Sequence, residues 1–129
     1  MRFPSPKAFQ VFVSAARTAT TSSNAYFNDE GYRGVRLYIN FSAVSGTGSN
    51  VISIQVKDPI TGTWKNLTGA VSAAIVAPTT GPTLLEVYPG CIAVANEVVN
   101  RAIGKQFRVT STAGTADAMT FSVAAEWLT

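Results

Sequence analysis

Residues 51–67, VISIQVKDPITGTWKNL, read as strand, turn, strand. Ile52, Ile54 and Val56 alternate with Ser53, Gln55 and Lys57. That period of two sends one row of side chains into a core and the other into water. Asp58 and Pro59 end the ladder, because Pro has no N–H to donate and Asp favours turns. Gly62 brings the torsional freedom that completes the reversal, and Trp64 and Lys65 open the return strand. Because Trp64 begins a strand paired with an apolar one, it is predicted to lie mostly buried, in the core or in an interface.

The same grammar runs outward in both directions. Residues 34–44 place Val35, Leu37, Ile39 and Phe41 in one row and Arg36, Tyr38, Asn40 and Ser42 in the other. Residues 118–128 do the same with Met119, Phe121, Val123, Ala125 and Trp127, and residues 105–112 with Phe107 and Val109. Further strands are predicted at 9–14, with Phe9, Val11 and Val13 in one row, at 69–76 and at 83–88. SGTGSN (45–50), 78–82 and 113–117 are turns. Gly46-Thr47-Gly48 leads into a strand and not a helix, which argues against a phosphate loop. Residues 15–30 form a long loop with room for a short strand. In 91–103 the apolar residues recur at spacings of three and four, which fits a short helix about as well as an irregular loop. The expected fold is therefore all-β: an antiparallel sandwich or jelly-roll-like domain of seven or eight strands with at most one short helix. A Pro-rich N-terminal arm, residues 1–8, precedes a single domain, 9–129. The first sixteen residues read as that arm and the first strand, not as a signal peptide.

Composition narrows the function. The chain has 129 residues, of which 47% are hydrophobic and only 13% charged. Such a low charge density leaves a surface of Ser, Thr, Ala, Asn and Gly that neighbours can cover, and it leans towards an assembly component. Ten basic and seven acidic residues give +3, but no run of five cations occurs, so no direct nucleic-acid partner is expected. No apolar run approaches a membrane span. There is no histidine and only one cysteine, Cys91. The commonest general base and metal ligand is therefore missing, and no metal or other cofactor is expected. Cys91 reads as a small buried apolar residue with a reduced thiol.

Candidate chemistry is sparse. A serine nucleophile would need a Lys base, and no Ser-x-x-Lys occurs. Asp58 and Asp117 sit in turns, and Asp29 and Glu30 form a solvated loop pair. Trp64, Tyr88 and Trp127 are able to make a sugar-stacking platform, but core and interface aromatics are the preferred reading. The chain is not expected to be an enzyme.

Several stretches, in this order and spacing, resemble a family of small proteins encoded in the structural-gene regions of tailed bacteriophages and prophages. They are Arg33-Gly34-Val35, Ser53–Val56 running into Lys57-Asp58-Pro59-x-Thr-Gly, and Leu85-Glu86-Val87-Tyr88-Pro89-Gly90. The Ala/Asn/Val-rich segment 92–100, Gln106-Phe107-Arg108-Val109 and Ala116-Asp117-Ala118-Met119-Thr120-Phe121-Ser122-Val123 follow. The resemblance implies a virion structural protein, foremost a capsid decoration (cement) protein on the capsid exterior, made in the bacterial host cytoplasm. The implied partners are the major capsid protein and the protein itself, as a homodimer or homotrimer. Candidate interaction residues lie in the arm (Arg2, Phe3, Lys7) and in or after the long loop (Tyr26, Phe27, Arg33). A tail, neck or fibre-base component of the virion and a carbohydrate-binding sandwich module are the alternatives.

Overall fold

The computed structural model describes residues 7–76, 81–115 and 117–129. Its strands are β1 (Ala8–Arg17), β2 (Thr21–Ser22), β3 (Tyr26–Phe27), β4 (Gly34–Val44), β5 (Ser49–Lys57), β6 (Trp64–Val71), β7 (Ile75–Val76), β8 (Gly81–Val87), β9 (Val98–Val99), β10 (Gln106–Ala113) and β11 (Met119–Leu128). The seven long strands match the expected number. The other four, β2, β3, β7 and β9, are two-residue pieces, too short to show a period of two. Two sheets form a sandwich. The first has the order β1-β11-β4-β8-β9; the second has β2-β10-β5-β6, with β3 also on β10 and β7 on β5. All pairings among these strands are antiparallel except β8 with β9.

The predicted inward rows meet in the core. Val35, Leu37, Ile39 and Phe41 of β4 and Met119, Phe121, Val123, Ala125 and Trp127 of β11 are buried, facing Ile52, Ile54, Phe107 and Val109 of the second sheet. Phe121 stacks on Phe41 at 4.7 Å and meets Phe12 edge-on. At the other end Trp127 lies edge-on to Phe107 and parallel to Tyr32. These offset and edge-on geometries suit the aromatic quadrupole.

Three strand expectations need correction, and the open choice at 91–103 falls to the irregular loop. β1 runs from Ala8 to Arg17, longer at both ends than the expected 9–14, and Lys7 O already accepts a hydrogen bond from Trp127 N. Irregularities in the β1–β11 register break its alternation: Phe12 is buried, whereas Val13 is 60% exposed. Residues 69–76 are not one strand; β6 ends at Val71 and β7 begins at Ile75. Residues 91–103 contain no helix. A short bridge between Val94 and Val98 closes a turn through Asn96 at φ 64°. β9 follows it, and the segment buries Val99 and Ile103 while leaving Ile92 in solvent. The β-branched valines favour this outcome over a helix.

The opening hairpin is as read. Asp58 N donates to Thr63 O at 2.8 Å, and the Asp58 carboxylate accepts from Ile60 N at 2.8 Å and Thr61 N at 3.2 Å. Those backbone donors hold its pKa below the usual carboxylate value. A folded-state pKa below the unfolded one gives stability that is present above the unfolded pKa and lost as pH falls through the folded one. Asp58→Asn keeps an acceptor but cannot titrate. It is expected to lower the melting temperature less than Asp58→Ala at pH 7, and to show a smaller further loss than the wild type between pH 5 and pH 2. Trp64 is the larger surprise: it is only partly buried and lies outside the core, which is served by Trp127. In denaturant titrations Trp127→Ala should cost ~3–5 kcal/mol and Trp64→Ala no more than about 1–2 kcal/mol.

Candidate functional site

The two outer faces of the sandwich carry different chemistry. On the first sheet, Arg36 of β4 stands between Glu126 of β11 and Glu86 of β8, its register partners on either side. It donates to both carboxylates, at 3.3 and 2.8 Å. Tyr38 Oη adds a bond to Glu126 at 3.1 Å. Beside this cluster of one arginine and two glutamates, Tyr38 and Leu84, paired across β4 and β8, are 40% and 44% exposed. Asn40, Ser42, Ser122 and Ala124 surround them on the same face.

The second sheet's outer face carries Lys57, Trp64, Gln55, Asn66, Arg108 and Thr110. Register places Arg108 opposite Gln55, Gln55 opposite Asn66, and Lys57 opposite Trp64. A side-chain chain of hydrogen bonds crosses four strands. Ser22 Oγ meets Thr110 Oγ1 at 3.1 Å, and Thr110 Oγ1 donates to Gln55 Oε1 at 3.2 Å. Arg108 Nε also donates to that oxygen, at 2.8 Å, and Gln55 Nε2 donates to Asn66 Oδ1 at 2.9 Å. The Arg108 guanidinium covers the Trp64 ring at 4.5 Å, and Lys57 Nζ lies 5.9 Å from the same ring. Both are cation–π distances, and they explain why Trp64 sits on this face: its indole buries against cationic side chains instead of the core.

Between Ser53 and Gln55 the β5–β6 register slips, Ser53 pairing with Val71 and Gln55 with Asn66. The slack in β6, residues 67–70, bends the strand, with Gly69 at φ 83°. The result is a groove of about 690 Å³ bordered by Ser53, Gln55, Asn66, Val71, Thr110 and Thr112. None of the residues lining it is acidic or basic.

The predicted interaction residues scatter. Arg2 and Phe3 lie outside the described residues. Lys7 is ion-paired with Glu30, which raises the pKa of the lysine and lowers that of the carboxylate, the direct hydrogen bond being the main cause of each shift. Glu30 also accepts from Tyr32 Oη at 2.8 Å, so it is not merely solvated. Tyr26 packs on Phe9 and Phe107, whereas its neighbour Phe27 is 62% exposed. Arg33 lies over the Tyr88 ring at 5.4 Å. The long loop is pinned to β10 through β2 and β3, so it is no free arm. Trp64, Tyr88 and Trp127 do not share a face and make no common platform. Cys91 is partly buried, its Sγ 3.0 Å from Tyr88 O. Arg108 and Gln55 were missed because nothing in a strand's alternation tells a solvated polar row from a linked one.

No family model and no curated protein matches this chain. Among the described residues no three His, Cys, Asp or Glu side chains gather as metal ligands, and no helix is long and apolar enough to cross a membrane.

Gln55 is the hub of the outer-face chain. Gln55→Ala should cost about 1–2 kcal/mol in equilibrium unfolding, since it strands the Arg108 Nε–H and leaves the largely buried Thr110 hydroxyl with Ser22 as its one side-chain partner. Gln55→Glu should recover part of that loss by pairing with Arg108.

Proposed function

We propose that this chain is a bacteriophage virion structural protein, a capsid decoration protein that bridges and stabilises major capsid protein subunits. The observation that carries the reading is the ordered resemblance of most of residues 33–128 to phage structural proteins. Its pieces include residues of β4, β5, β8, β9, β10 and β11, strands of both sheets. The outer face of the first sheet supports it further. The exposed pair Tyr38 and Leu84, ringed by Ser, Asn and Ala and by the cluster of Arg36 with Glu86 and Glu126, has the apolar centre and polar rim of a protein interface.

Decoration on this reading works by avidity. Each copy, within a homodimer or homotrimer, touches several coat subunits that are correctly spaced only in the assembled shell, so modest contacts add once geometry permits them together. Residues 1–6 would supply an additional contact along a neighbour.

The test is co-sedimentation of purified protein with undecorated heads. Intact protein is expected to pellet with mature heads and to remain in the supernatant with coat monomers. Tyr38→Ala should weaken retention about tenfold or more with an unchanged melting temperature, and a protein lacking residues 1–6 should also bind more weakly. Absence of binding to any assembled head would defeat the reading, and tight binding to unassembled coat monomers would defeat the avidity mechanism.

A further inference from the structure

We propose that Arg108 and the uncharged groove beside it on the outer face of the second sheet together bind a carboxylated oligosaccharide, Arg108 recognising the carboxylate next to the groove's Gln55 and the groove holding the sugar rings. The inference is independent of any place on a shell.

Arg108 shares with Arg17 and Arg33 an aromatic ring and no salt bridge among the described residues, but unlike Arg33 it is oriented by a side-chain hydrogen bond, and unlike Arg17 and Arg36 it makes none through Nη. Arg36 has two carboxylates. Arg17 donates to three main-chain carbonyls, of Ala15, Phe121 and Val13. Arg108 is partly buried, is held from one side by Trp64 and through Nε by Gln55, and forms no salt bridge among the described residues. Its two Nη groups make no hydrogen bond to the described residues. A guanidinium already fixed in orientation loses little entropy on binding, and its planar fork suits a carboxylate bidentately.

The neighbouring groove supplies the rest of a sugar site. Gln55 Oε1 accepts from Arg108 and Thr110, which settles the orientation of its amide. Gln55 Nε2 then donates to Asn66 Oδ1, leaving the Asn66 Nδ2 donors turned to solvent. Ser53 and Thr112 add hydroxyls, while Val51 and Val71 offer aliphatic surface for C–H faces. The volume of about 690 Å³ falls within the range of small-molecule sites, roughly 300–1,000 Å³, which is room for about two or three sugar rings.

Other ligands fit less well. A nucleic-acid track needs a succession of cations along the phosphates, and among the described residues this face has Lys57 and Arg108 only. A protein partner would bring an apolar anchor to the centre of its footprint, whereas here the aliphatic Val51 and Val71 are interspersed with the amides and hydroxyls of Ser53, Gln55, Asn66, Thr110 and Thr112.

Binding is measured by tryptophan fluorescence and calorimetry, using trimers of galacturonate, glucuronate, mannuronate and guluronate against neutral galactose and glucose trimers. At least one uronate trimer should give saturable binding that weakens with salt and is at least tenfold tighter than any neutral trimer. Arg108→Ala and Asn66→Ala should each weaken it tenfold or more. Arg108→Lys should fall between Arg108→Ala and the wild type, and it keeps the test valid if Arg108→Ala unfolds. The proposal is overturned if no uronate trimer binds, if neutral trimers bind equally well, or if the variants bind like the wild type. It is also overturned if Arg108→Glu abolishes attachment to heads while the wild type ignores every uronate, because the face would then be a protein-docking surface.

Discussion

The structure depends on the burial of one row of side chains from each long strand between two sheets. Phe41 and Phe121 sit at its centre, stacked and fully enclosed. Hydrophobic burial is the dominant favourable contribution to folding, and it acts here through a layer only about 10 Å thick. That thickness makes the period of two compulsory. A strand that slipped by one residue would turn its whole apolar row to water. The β4–β11 pair keeps its ladder from Val44 to Gly34 with one register shift, between Thr120 and Phe121, and further irregularities fall where β1 meets β11 and β6 meets β5.

Those irregularities shape the surface. In β1, an edge strand, the register shifts bring Phe12 inward and let Arg17 reach back over the Phe12 and Phe121 rings at 5.0 and 4.7 Å. The same guanidinium occupies carbonyls of Val13 and Ala15, which occupies hydrogen-bonding groups of an edge strand that could otherwise template another chain. In β6, the other long edge, the slip between Ser53 and Gln55 bends the strand and opens the groove. Edges tolerate such departures because only one side of the strand is committed to a neighbour.

Charge is distributed by the same logic. The few ionic residues on the sheet faces are paired where they are partly buried, as Arg36 is with Glu86 and Glu126, because an uncompensated charge away from water is expensive. Arg108 departs from that pattern: an aromatic ring and an amide hold it in place of a carboxylate. This contrast between two strand arginines distinguishes the two faces.

The sequence by itself determined the sandwich. The alternating rows of β4, β5, β10 and β11 and the Asp-Pro-x-x-Gly reversal follow from local periodicity and turn chemistry, which do not depend on distant residues. The tertiary structure alone decided which tryptophan fills the core. Trp64 and Trp127 are both strand aromatics, but the side that Trp64 faces is set by its pairing with Lys57, and its preference for that side comes from Arg108, 44 positions away in the chain. Phe12 and Val13 exchanged places for a similar reason, since a bulge is a property of two paired strands and leaves no mark on one. Residues 91–103 showed helical spacing, but the bridge from Val94 to Val98 and the parallel pairing of β9 with β8 captured their backbone groups instead. The candidate site followed the same rule. Gln55, Arg108 and Thr110 were legible as outward strand positions, whereas Ser22 read as part of the long loop. Their linkage into one hydrogen-bonded chain beside a groove arose only when four strands, contributed by residues 21–112, came to lie side by side.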